Sequence, residues 1–232
     1  MDNVTEIYKA MIGKDPRNSS RDPRDSLRTI LDAAAAKGRF LREVSMSNLE
    51  DGRRVLNSVF YTRKYSRDLN EQSLQVLREC FSSIKSSSSL SEASERSLCL
   101  SFMKGEDASD FAKEVLHFVR PSEFPLWTRW VWNWERSSGA LAYVLKDGVR
   151  PKDDALEALR ELREVLDTFG LRTGDYVPTA IFSVYAYVRY LDYTTLLAID
   201  KKVAGLLPTH LGTTALVMGL KDFLKVMVSA NT

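Results

Sequence analysis

Residues 152–169 read KDDALEALRELREVLDTF. Leu156, Leu159, Leu162, Val165, Leu166 and Phe169 recur every three or four positions, which places them on one stripe of an α-helix with charged residues opposite. Gly170 follows as a C-cap, able to take the left-handed backbone that ends helices. The same period runs outward in both directions. Asp22-Pro23 reads as an N-cap with proline at the first helical position, and Leu27, Ile30, Leu31 and Ala34 then lead to a stop near Gly38. Ser47 and Glu50 form a capping box ahead of Val55, Leu56, Val59 and Phe60. Asp68 with Glu71 opens a helix whose apolar face is Leu74, Leu77, Phe81 and Ile84. Ser89 with Glu92 caps the next, which ends at Gly105. Asp107 caps one through Phe111, Val115, Leu116 and Val119 that Pro121 stops. Three more helices are expected near 177–191, 193–207 and 213–229. Only at 139–146, GALAYVLK, does a short strand compete. The prediction is an all-α protein, a bundle of about ten helices around one main core.

Composition points the same way. Of 232 residues 44% are hydrophobic, enough to bury a core, and Leu and Ala outnumber the β-branched residues that favour strands. No apolar run approaches the roughly eighteen residues of a membrane span. The most hydrophobic stretch, 178–199, is broken by Arg189 and Asp192, so no membrane partner is expected. The opening MDNVTE lacks the basic and apolar regions of a signal peptide. Cys80 and Cys99 form no C-x-x-C pair and lie among apolar residues. Buried free thiols in a reducing, cytoplasmic setting are the expectation.

The formal net charge of +2 predicts no polyanionic partner by itself, but its distribution is uneven. Between Arg17 and Arg67 twelve basic residues face six acidic ones. Residues 82–91, SSIKSSSSLS, have linker composition. They suggest a basic helical module at 1–84, a serine-rich linker at 85–91 and a main helical domain at 92–232. The tripeptide Asp-Pro-Arg at 15–17 and again at 22–24 reads as paired turn signals.

The patterns that would carry chemistry are absent from the sequence. It has no metal-ligand spacing, no P-loop or dinucleotide fingerprint and no nucleophile elbow, so neither metal nor cofactor is expected. The two histidines, His117 and His210, are far apart. His117, ahead of Arg120-Pro121, is a candidate general base, although a half-buried histidine bonded to a carbonyl is the plainer reading.

Two binding patterns remain. The stretch PSEFPLWTRWVWNW at 121–134 puts Trp127, Trp130, Val131 and Trp134 on one helical stripe, as core packing does, and leaves Trp132 off it as the candidate exposed ring. Trp127 and Trp132 are therefore the candidates for stacking on a base or anchoring a partner, with Arg129 and Arg136 supplying charge. In FYTRKYSR at 60–67 cations and rings interleave. Arg53, Arg54, Arg63, Lys64 and Arg67 are the candidate phosphate contacts, against a reading as a solvated helix end.

Two segments resemble the helix-hairpin-helix DNA glycosylase superfamily. The first is AKEVLHFVRP at 112–121, continuing to FPLW at 124–127, where a helix ends at proline and an F-P-x-W phrase starts the next element. Thr128 stands where the superfamily pattern has aspartate. The second, LLPTHLGTTA at 206–215, is similar to the hairpin L-P-G-V-G-x-x-T-A, with Thr209 at the first glycine and one extra loop residue. The resemblance implies phosphate binding by amides of Thr209, Gly212 and Thr213 at a helix start; the plainer reading is an ordinary αα-hairpin with Thr213 as N-cap. Asp200 precedes the hairpin, whereas the superfamily's catalytic aspartate follows it, so no catalytic residue carries over.

The expected function is thus a nucleic-acid-binding accessory protein, for DNA or RNA, whose early cations and late helix start form one groove. A protein–protein interaction or assembly factor is the alternative, and a base-excision-type enzyme the third.

Overall fold

The computed structural model of the chain describes residues 2–13, 23–133, 135–136, 138–144, 155–190, 209–220 and 222–224. The protein is all-α. The described helices are α1 Asp2–Met11, α2 Pro23–Glu43, α3 Leu49–Asn57, α4 Glu71–Lys85, α5 Leu90–Arg96, α6 Gly105–Val119, α7 Leu141–Val144, α8 Ala155–Thr168, α9 Val177–Tyr190 and α10 Thr209–Val217. Two 3₁₀ turns, Phe60–Tyr65 and Ser97–Cys99, join α3 to α4 and α5 to α6. Among the described residues the one β pairing is an isolated bridge between Asn133 and Ser138. No described helix is long and apolar enough to cross a membrane.

Helix α6 is the axis of the molecule. Ten of its residues, from Asp107 to Phe118, are buried, and α2, α4, α5 and both 3₁₀ turns pack around it. A helix buried on so much of its surface belongs inside a bundle. Among the described residues one hydrophobic cluster takes in side chains from Val4 of α1 to Leu224, on both sides of 85–91. Residues 82–85 complete α4, Ser86–Ser89 make a tight turn, and α5 starts at Leu90. The serines act as caps rather than as a flexible tether. Ser89 accepts from the Glu92 amide, and Ser88 donates to the Glu92 carboxylate from both its amide and its hydroxyl. Arg96 donates to Ser86 Oγ at 2.7 Å, and Arg120 to the Ser87 carbonyl at 2.7 Å.

Several local expectations shift. Helix α2 continues through Gly38 to Glu43, because Gly38 is where the end of α6 approaches: a Cβ there would stand 2.7 Å from the Phe118 carbonyl oxygen. Asn48 rather than Ser47 caps α3, accepting from the Asp51 amide at 2.9 Å. Asn70 and Ser73 make the capping box of α4. α5 stops at Arg96, well short of Gly105, and α6 starts two residues before Asp107. The segment 139–146 holds the short helix α7 where it is described. The tripeptide repeat's first copy, Asp22, the helix start at 152–154 and the helix expected at 193–207 lie outside the described residues.

The cysteines also differ from expectation. Cys80 of α4 and Cys99 of the second 3₁₀ turn are joined as a disulfide, Cα to Cα 6.2 Å, closing a separation of 19 residues. The turn at 86–89 lays α5 and the following 3₁₀ turn back against α4, which makes the pairing geometric rather than sequential. Cys80 is buried, but Cys99 is exposed.

Candidate functional site

The tryptophan segment is not a helix. Pro121 and Pro125 withhold amide donors, residues 121–131 run through turns and irregular backbone, and the Asn133–Ser138 bridge folds the chain back. Gly139 makes this reversal, with φ of +126°; a Cβ there would lie 2.6 Å from the Val131 carbonyl oxygen. Trp130 is sealed among Phe60, Tyr61 and Tyr187, with ring centroids 4.9, 5.5 and 4.9 Å away. Trp132, expected to be exposed, is buried, because the chain follows a turn instead of a helical stripe. Trp127 is half-buried, and Trp134 lies outside the described residues.

Against this segment α6 presents a polar seam that sequence reasoning missed. Asp107, Asp110, Glu114 and His117 are spaced three, four and three apart, in phase with the buried Phe111 and Phe118, and all four are buried. Helical spacing of polar residues within an otherwise apolar helix was the available signal. Each has partners supplied by tertiary structure. Asp107 accepts from Lys64 Nζ at 2.7 Å, Tyr65 OH at 2.8 Å and Arg129 Nη2 at 2.6 Å. These bonds outweigh the cost of burial and hold its carboxyl below the usual range. Asp110 accepts from both the Arg129 amide, at 3.1 Å, and Arg129 Nε. Burial pushes the Asp110 carboxyl up, against the pull of Arg129. Arg129 also reaches Glu106 at 2.7 Å and lies 4.2 Å over the Tyr61 ring. Despite burial, these carboxylates raise its pKa further. Its guanidinium is therefore held by three carboxylates.

Deeper in the seam, Glu114 pairs with Lys37 of α2 at 2.5 Å, and Lys37 also donates to the Met218 carbonyl at 2.8 Å. Burial drives both toward their neutral forms, each restrained by the other. The Nδ1–H of His117 donates to the Phe124 carbonyl at 2.8 Å, pinning the tryptophan segment to α6. Full burial lowers its pKa to about 4. Sealed there it reaches no substrate, which corrects its candidacy as a general base. Asp200 lies outside the described residues.

Between the seam and the tryptophan segment opens a pocket of about 230 Å³, lined by Glu106, Ser109, Asp110, Lys113, Trp127, Thr128, Arg129, Trp132, Asn133 and Glu135. It is smaller than the roughly 300–1,000 Å³ of drug-sized sites and suits a single ring system. Among its charged lining groups, Arg129, Glu106 and Asp110 are paired with one another. Lys113 and Glu135 make no ion pair among the described residues. Burial, aided by Arg129, lowers the Lys113 pKa against the pull of Asp110.

The expected phosphate contacts do not converge on this pocket as a set. Arg53 is half-buried on α3; Arg54 is exposed, its guanidinium 4.7 Å over the Phe40 ring; Arg67 is exposed beyond the first 3₁₀ turn. Arg63 donates to the Asn57 carbonyl at 3.2 Å and to the Leu216 carbonyl, and Lys64 is held by Asp107. Gly212 and Thr213 are buried inside α10, which begins at Thr209, whose side chain lies outside the described residues. Arg63 meets α10 near its C-terminal end, about 10 Å along the axis from its start. Gly212 and Thr213 therefore present no open helix start: both lie inside a helix already formed at residue 209, and the packed bundle covers them.

No protein-family model matches the chain, and neither a curated protein nor a solved structure matches it.

Proposed function

We propose that the protein binds nucleic acid without acting on it chemically, and that its main contact is an unpaired base entering the pocket beside Trp127. One observation carries this: two tryptophans and a partly buried ammonium, Lys113, which has no ion pair among the described residues, line a pocket sized for one ring system. Base–indole stacking contributes about 1–3 kcal/mol per base. The exposed cations Arg54, Arg67 and Arg136 remain available for the phosphate chain. Of the two segments resembling the helix-hairpin-helix superfamily, the first supplies Lys113 and Trp127 to the pocket. A cytoplasmic setting goes with this reading. The Cys80–Cys99 bond, uncommon in reducing compartments, weighs against it, and the redox state of the chain isolated from its host decides.

A second reading rests on charge. The pocket lining holds three carboxylates and two cations, which favours a basic side chain of a protein partner over a phosphate. Fluorescence anisotropy with a labelled 12-nucleotide single strand at low salt separates the two. Binding that Trp127→Ala weakens by about five- to a hundredfold supports the nucleic-acid reading. No affinity for any DNA or RNA ends it.

A further inference from the structure

Within the pocket the ion pairs among the described residues leave two charges of opposite sign. Arg129 is saturated by Glu106, Asp107 and Asp110, and Lys64 is taken up by Asp107. The ligand therefore meets Lys113 on α6 and Glu135 on the folded-back segment, with the indoles of Trp127 and Trp132 in the same lining. A ring that fills such a space gains most if it carries an anionic group for the ammonium and N–H donors for the carboxylate. Glu135 is exposed and acceptor-only when ionised, so a carbonyl edge facing it is repelled while an amino edge is bonded.

Resting on the nucleic-acid reading above, we infer that the pocket selects bases bearing an exocyclic amino group: Glu135 accepts from that amino group, and Lys113 contacts the phosphate of the same nucleotide. Adenine, cytosine and guanine present such an amino group; thymine and uracil do not. The preference runs opposite to stacking-dominated single-strand binders, in which flexible pyrimidine runs do well without hydrogen-bond readout. It also requires an unpaired base, because pairing occupies the amino group and stacking keeps the ring out of the pocket.

The test measures anisotropy of labelled 12-nucleotide oligo-dA, oligo-dC and oligo-dT, a duplex of mixed sequence, and competition by dCMP and dTMP. Oligo-dC and oligo-dA should bind about tenfold or more tightly than oligo-dT and the duplex. Glu135→Gln, a change at an exposed position, should bring that ratio close to one. Lys113→Met should weaken all three single strands. Oligo-dT binding as well as oligo-dC, or a ratio that survives Glu135→Gln, overturns the inference while nucleic-acid binding stands. Absence of binding by every oligonucleotide overturns the underlying reading instead. If dCMP competes as tightly as oligo-dC, with dTMP weaker, the amino-group selection is supported and the strand is overturned as its source in favour of a free nucleotide.

Discussion

At the scale of single residues, the polar seam of α6 holds the sharpest consequences. His117 is buried and neutral, its pKa lowered from 6.5 to about 4 by burial. The unfolded chain binds a proton at this side chain as pH falls below about 6.5, whereas the folded chain resists until about 4. Its contribution to stability is therefore fully present above pH 6.5 and lost as pH falls toward 4, in total on the order of 3 kcal/mol. Urea unfolding at pH 7.5 and pH 4.5 should show that His117→Gln has a distinctly flatter pH dependence than the parent. Lys37 gives a second prediction. Lys37→Met leaves Glu114 buried without its cation and should cost about 3–5 kcal/mol in denaturant unfolding. Adding Glu114→Leu to the same chain should recover most of that loss. If the single and double variants are equally destabilised, the pair matters only as packing volume.

At the scale of elements, periodicity located most helices, and chain reversals decided their ends. Leu74, Leu77, Phe81 and Ile84 lie on the buried face of α4 as their spacing predicts, and Leu159, Leu162 and Leu166 do the same in α8. The segment 121–134 shows why a stripe is not sufficient. Its tryptophans recur at helical intervals, but two prolines and Gly139 dictate turns, so Trp132 is buried and both it and the half-buried Trp127 line the pocket. The serine-rich stretch errs in the other direction: its composition suggests a tether, and its hydroxyls serve as caps. The disulfide belongs to this scale too, since it ties the 3₁₀ turn at Cys99 to α4. In the chain-entropy view, closing a loop of this size contributes about 3 kcal/mol. Dithiothreitol should therefore lower the urea midpoint of the parent and leave Cys80→Ser unmoved, and mass spectrometry without reductant should find no free thiol in the parent.

At the scale of the whole molecule, the charge pattern read along the chain loses part of its meaning once the chain folds. Twelve basic residues between Arg17 and Arg67 suggest an electrostatic arm. Lys37, Arg63 and Lys64 among them are instead internal partners of Glu114, the Leu216 carbonyl and Asp107. A ligand held by one stacked base and a few exposed cations releases few counterions. The slope of log K against log salt for a bound single strand should therefore be shallow, about 1 to 3 in magnitude, where six or more phosphate contacts would give about 4 or more. A steep slope measured by anisotropy across 20–200 mM NaCl would return the main contact to the basic arm.

Local chemistry alone determined that this chain is helical, where most helices lie and which faces are apolar, because hydrophobic period, caps and prolines act over a few residues. Tertiary structure decided which charges are available. Arg129, Lys37 and Arg63 are indistinguishable in sequence from exposed cations, and only the convergence of α2, α6, the first 3₁₀ turn and the tryptophan segment supplies their carboxylate or carbonyl partners. The pairing of Cys80 with Cys99 and the pocket beside Trp127 arise in the same way, from contacts between segments whose separation along the chain carries no signal of their meeting.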